Sequence, residues 1–386
     1  MTRRFIDGWF VFCICLIGCA VGTAGLADDA ATGEDKAAKA TKEDAAAKTL
    51  KDEFVETKHS LSGYLRDQYM MELNGVIVDS GAINFQTLRF GPGNDLPEVC
   101  FLPTYTATAW YHKKLSDELQ SLSVAEVVQR AEKFAYARYA PALLRGTSLG
   151  NSERARVAKG LAELTGLSNE YILSANLRIP MSRFGKELLR DEERTIGRFD
   201  SRYSSQDRDS AGERYEFDAS GAAIIGPFMA CLNDYMRRDL KYEDRRVYEI
   251  LTGNVQPWSY DQFEGRYVDA SETLRRAMTA NPFLKLFVAC GYYDLATPHH
   301  AMRYTIDHLG LSKQRQKNVT VKHYEGALTG SGALIGSSVS SQSLKRLLAF
   351  QPAWIVCSRR PASSSSDACL PIRTGIRCSP KDLDCR

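Results

Sequence analysis

The sequence predicts an α/β fold in which a small parallel sheet of about three core strands is interrupted by a large helical insertion. Three observations carry that expectation. Short runs rich in apolar and β-branched residues stand far apart, at 73–78 (LNGVIV), 284–290 (LKLFVAC) and 319–324 (VTVKHY), and buried parallel strands read as near-continuous runs of this kind. Between the first and second runs, apolar residues recur mostly at helical spacing. The second run is closed by Gly291, followed three residues on by a lone acid, Asp294, with Pro298 placed to open a helix. Open α/β sheets hold their chemistry just beyond the carboxyl ends of their strands. An acid there either orients a histidine or caps the helix that follows.

Taken in order, residues 1–27 have the layout of a secretory signal peptide. Arg3 and Arg4 precede the apolar run 9–20, and small residues follow as far as Ala27, where cleavage is expected. Within that run residues 16–19 (LIGC) are similar to a bacterial lipobox, in which Cys19 would carry a lipid anchor. Both readings export the protein, to the periplasm, the cell envelope or the exterior. Residues 28–51 consist largely of Ala, Lys, Asp, Glu and Thr with no apolar face and read as a polar tether. The body, 52–326, begins with a strand pattern at 54–61 (FVETKHSL) that runs directly into helical spacing at Leu65, Tyr69 and Leu73.

Residues 103–111 (PTYTATAWY) mix threonine with aromatic side chains, a surface suited to lining a pocket and equally suited to packing. A helical cap spans about 112–280, with helices expected at 116–139, at 152–164 behind a Ser152 cap, at 167–177 after Gly166, at 222–240 and at 270–280. Residues 183–202 are dense in arginine. Glu187, Asp191, Glu192, Glu193 and Asp200 interrupt the cations, which predicts a solvated ion-pair face and not an anion site. A helix over 298–309 carries His299, His300 and His308. From 327 to 386, serine and glycine runs without sustained periodicity predict a low-complexity, disordered tail.

Composition narrows the function classes. The 386 residues, 44% of them hydrophobic, suffice for one large core or two modest ones. Fifty basic and 47 acidic residues leave a formal charge of +3, too balanced for a nucleic-acid partner. Cys100, Cys231 and Cys290 are too scattered for a disulfide framework, and Cys357, Cys369, Cys378 and Cys385 lack the paired spacing of a zinc site. No metal and no cofactor is expected.

Several strings, in the same order, resemble one family. Residues 73–78 (LNGVIV), 94–97 (NDLP), 101–112 (FLPTYTATAWYH), 176–179 (NLRI) and 183–191 (RFGKELLRD), then 291–298 (GYYDLATP) and 304–311 (YTIDHLGL), closely resemble bacterial serine carboxypeptidases. These are exported α/β-hydrolases that release C-terminal residues from peptides. The resemblance runs from about 62 to 325 and implies a partial α/β-hydrolase sheet with a helical cap, a peptide substrate, and Asp294 as the acid of a catalytic triad.

It also implies losses. The family's nucleophile sits in a Gly-Glu-Ser-Tyr-Gly elbow shortly before the helix that here reads SGYLRDQYMMELNG, and this chain has no such string. Residues 54–61 resemble the family's first strand, joined directly to that helix near Ser62. The family's catalytic histidine follows the strand matching NVTVKHYEG, whereas here Ala327 and Leu328 follow Gly326 and no histidine occurs after His323. Residues 146–150 (GTSLG) do fit G-x-S-x-G, and Ser148, Asp294 and His323 fall in hydrolase order. They follow a helical stretch inside the cap, so the strand that an elbow needs is missing. His323 lies within a strand, His299 and His300 on a helix start, and His112 beside aromatics, and none is assigned a catalytic role. The expectation is therefore an exported carboxypeptidase-like protein with impaired hydrolysis, or a non-catalytic relative that binds peptide or envelope partners.

Overall fold

The structure, a computed structural model, describes residues 72–243 and 260–326. The signal peptide with Cys19, the tether, the 54–61 strand, most of the helix after it and the tail lie outside the described residues. All described residues fall within one compact unit, Met1–Ser338.

In chain order the elements are β1 (Gly75–Asp79), α1 (Leu96–Tyr111), α2 (Asp117–Gln120), α3 (Val124–Phe134), α4 (Ala140–Arg145), α5 (Asn151–Thr165), α6 (Asn169–Ser174) and α7 (Met181–Glu187). A two-residue hairpin, β2 (Thr195–Ile196) with β3 (Ser204–Ser205), precedes α8 (Ala219–Asp234) and α9 (Ser271–Ala280). Then come β4 (Lys285–Gly291), α10 (His299–Asp307), α11 (Lys313–Gln316) and β5 (Val319–Tyr324). The protein is thus a mixed α/β structure, with a small parallel sheet ordered β1-β4-β5 and helices inserted between its first two strands.

β4 is central because its run LFVAC can be buried on both faces. Leu286 and Val288 are almost wholly buried, and in register Val78 faces Val288 while Cys290 faces His323. β5 alternates between half-buried and exposed positions, as a flanking strand does. One core, of Val78, Met278, Leu284, Leu286, Val288, Met302, Leu309 and Leu311, joins the sheet to α9 and α10. A second, larger core fills the helical insertion around α1, with Phe101, Leu102, Tyr105, Val127, Leu161, Ile172 and Phe184 at its centre.

Residues 103–111 take the packing alternative, as the second half of a helix, α1, that begins before the expected cap. Pro103 to Ala109 are all buried. Two threonine hydroxyls bond back within the helix, Thr106 donating to the Leu102 carbonyl and Thr108 to that of Thr104, while the Thr104 hydroxyl has no partner among the described residues. Buried threonine suits a helix when its hydroxyl bonds back to the i−4 carbonyl. The start signal lies further upstream, with Asp95 at the N-cap, Pro97 in the first turn and Glu98 at the third position.

The cap helices otherwise follow the pattern. α3 opens with a capping box between Ser123 and Glu126 and turns Val124, Val127, Val128 and Ala131 inward. α5 is capped at Gly150, not by Ser152, and without a side-chain bond. It ends at Gly166 with φ +71°, where an added Cβ would lie 2.7 Å from Lys114 Cβ and 2.9 Å from its carbonyl oxygen. Gly166→Ala is expected to destabilise the fold by about 1–3 kcal/mol, read as a lower urea midpoint at unchanged slope; an unchanged midpoint would refute the need for glycine there.

The segments that carry the resemblance meet in space. Arg178 grips Asp95 with two bonds of 2.7 Å, Glu98 accepts from the Ile179 amide at 2.8 Å, and Tyr105 stacks on Phe184 at 4.0 Å. The charged run 183–202 supplies ion pairs as expected, but one of its members is not solvated. Lys186 and Asp207 pair at 2.7 Å with side chains only 3% and 2% exposed. α8 buries only its first three residues and leaves Ile225 exposed, with Tyr235 and Leu240 exposed just beyond it.

Candidate functional site

The carboxyl end of the sheet is assembled from the ends of β1 and β4 and from the turn into α10. After Gly291 the chain leaves the sheet, and Tyr293 inserts between α1 and α3, where it forms a small apolar cluster with Ala107, Val124 and Val128. The β2–β3 hairpin holds the same turn through backbone bonds, from the Ser201 amide to the Tyr293 carbonyl and from the Leu295 amide to the Arg198 carbonyl. The insertion therefore fixes the position of Asp294 as firmly as the sheet does.

Asp294 is fully buried. Its Oδ1 accepts from the amides of Ala296 and Thr297, each at 2.9 Å, and its Oδ2 accepts from the Thr297 hydroxyl at 2.9 Å. Both oxygens thus brace the turn that delivers the chain to α10, although Pro298 is the N-cap residue itself. Carboxylates commonly serve in this way where a backbone turn would otherwise leave buried N–H groups unpaired.

Asp79 ends the neighbouring strand and is 4% exposed. Burial, and then the charge of Asp294, push its carboxyl up to about 6. Its Oδ1 has no hydrogen-bond partner among the described residues, and neither has the hydroxyl of the buried Ser80, whose backbone is left-handed at φ 45°. Burial and then the same two carboxylates raise the Cys290 thiol to about 12, so it is an inert core group. Strand order alone could have flagged Asp79, because β1 and β4 are parallel neighbours whose next residues must emerge side by side.

Ser148 lies exposed in a short 3-10 turn, Gly146–Ser148, between α4 and α5. No strand leads into it, so it lacks the strand-to-helix setting of a nucleophile elbow. The described histidines have other contacts. His112 bonds the Ser201 carbonyl at 2.7 Å, and His308 bonds that of Tyr304 at 2.7 Å. His299, His300 and His323 gather with Tyr292 and Glu132. Among the described residues no group of three or more His, Cys, Asp or Glu is placed to hold a metal ion. No protein-family model, curated protein or solved structure matches the chain.

Proposed function

We propose that this protein is an exported relative of the bacterial serine carboxypeptidases whose hydrolytic machinery is incomplete, and that it engages peptides without efficient turnover. The observation that carries the reading is Asp294, which stands just beyond the carboxyl end of the central parallel strand, with the helical insertion on one side and β5 on the other. That is where an α/β-hydrolase keeps its triad acid. The identity of the sheet as a partial α/β-hydrolase sheet belongs to the same proposal. It is supported by parallel β1, β4 and β5, and by the resemblance strings on which they lie.

Chemistry limits what this acid can do. A triad acid acts only through a histidine that in turn activates a hydroxyl, and the sequence has neither the elbow nor a histidine after His323. Loss of triad members lowers turnover by about a millionfold where this has been dissected.

A single experiment separates the readings. Purified full-length protein is expected to leave blocked dipeptides uncleaved and to resist labelling by a fluorophosphonate, while showing saturable affinity for the same peptides. Labelling at Ser148 would establish a hydrolase with a different nucleophile. Neither binding nor labelling would remove the peptide-directed reading altogether.

A further inference from the structure

Three histidines sit together where α10, α3, the β4–α10 turn and β5 converge. His299 is fully buried at the first position of α10, and its ring meets that of His323 edge-on, at 5.2 Å between centroids. Tyr292 stacks on His323 at 5.5 Å and meets His299 edge-on at 5.5 Å. His300, 2% exposed, lies against Tyr136 at 5.3 Å. Neither ring nitrogen of His299 or of His300 has a hydrogen-bond partner among the described residues. His300 Nδ1 does lie 3.3 Å from Oε1 of Glu132, which makes an ion pair once that ring is protonated.

The charges facing this cluster do not balance three protons. α3 contributes the single carboxylate of Glu132, whereas α10 contributes Arg303, whose own partner is Asp307 at 2.8 Å. The β4–α10 turn and the π-helical turn Ala135–Tyr139 bring the phenols of Tyr292 and Tyr136 against the rings, the carboxylate of that first turn, Asp294, accepts from Ala296 and Thr297, and Glu325 stands at the exposed end beyond β5. A proton on His299 meets only burial and the neighbouring imidazoles, and one on His323 meets burial that the charge of Glu132 offsets in part.

We propose that this cluster is an acid-sensitive latch: neutral rings let the first turn of α10 seat against α1, beside Glu132 of α3 and His323 of β5, and their protonation unseats it. Burial, reinforced by the neighbouring imidazoles, holds His299 well below the ordinary histidine range, and burial likewise lowers His323. The sign follows from linkage. A group whose folded-state value is depressed stabilises the fold above its unfolded value of about 6.5, and that stability is lost as pH falls below it. The turn released is the one braced by Asp294, so acidification would loosen the carboxyl end of the sheet before the insertion. The latch does not depend on the carboxypeptidase-like reading, because it requires no substrate.

The test is amide hydrogen exchange on the full-length protein at pH 7.5 and 5.0, corrected for intrinsic rates. Protection in α10 and β5 is expected to fall about tenfold or more, one pH unit below the unfolded value being worth a factor of about ten per uncompensated histidine, while α5 stays protected. His299→Phe should shrink the drop to the part that His323 contributes, and if that variant fails to fold, His323→Gln, which should leave only the part from His299, carries the test. Glu132→Gln, which removes the carboxylate beside His300, should weaken protection already at a higher pH. Equal loss in α5, a drop unchanged in the His299 and His323 variants, or a drop that depends on added zinc or EDTA would overturn the latch.

Discussion

Lys186→Met is expected to destabilise the protein by about 3–5 kcal/mol, among the largest effects available from one surface-distant charge. The substitution leaves the Asp207 carboxyl without its cation in a site where its side chain is 2% exposed, and it also removes the 2.7 Å bond from Lys186 to the Asp209 carbonyl. The loss is local in origin. α7 holds the loop over 207–213 by its cations, with Arg183 on Glu213 and, just after the helix, Arg190 on the Ser210 and Gly212 carbonyls. The double substitution Lys186→Met with Asp207→Leu should recover most of the stability, because a buried pair replaced by apolar groups is often neutral. Urea unfolding of the wild type, the single and the double variants checks this; additive losses would show that the charges do not act as a pair.

Asp294→Ala ranks next, with an expected loss of about 3 kcal/mol. The substitution strips three buried donors, the amides of Ala296 and Thr297 and the Thr297 hydroxyl, of their acceptor, and each unsatisfied donor costs about 1–3 kcal/mol. Part of that is offset, since a buried charge disappears and Asp79 is relieved of its neighbour. Asp294→Asn should cost less, about 1 kcal/mol, because an amide oxygen still accepts from both backbone groups. The two variants also report on Asp79. Its folded-state value of about 6 lies above the ordinary one, so its proton stabilises the fold at acid pH and that contribution is lost as pH rises through 6. Carbon-detected NMR of the Asp79 carboxyl should show its midpoint falling in either variant. A midpoint still near 6 in Asp294→Asn would assign the shift to burial alone.

The strands of the parallel sheet were legible as short apolar or β-branched runs closed by a turn residue, near-continuous in β4 and alternating in β5. The cap helices were legible from their caps and spacing. The helix at 96–111 was not, because threonine, tyrosine and tryptophan favour strands in isolation, and only tertiary burial with i−4 hydroxyl bonding makes them a helix. Its N-terminal Asp95-Leu96-Pro97-Glu98 was the readable signal. The buried Lys186–Asp207 pair escaped because burial of a charge depends on a loop some twenty residues away, which no local pattern encodes. At the site, Asp294 was found by position; it braces the turn before α10 and does not cap the helix, whose N-cap is Pro298. Asp79 was passed over, since its significance arises only once β1 and β4 lie side by side.

The pairing of β1 with β4 also governs how the protein reaches its folded state. Val78 bonds alongside Val288 in a parallel ladder, two residues separated by the whole helical insertion. Closing so long a loop costs entropy before any strand contact compensates for it, and sheets built from distant partners form slowly. Tyr293 and the β2–β3 hairpin reverse that disadvantage, because a folded insertion presents a ready seat for the end of β4. A folded insertion therefore offers the end of β4 a seat on which the sheet can close.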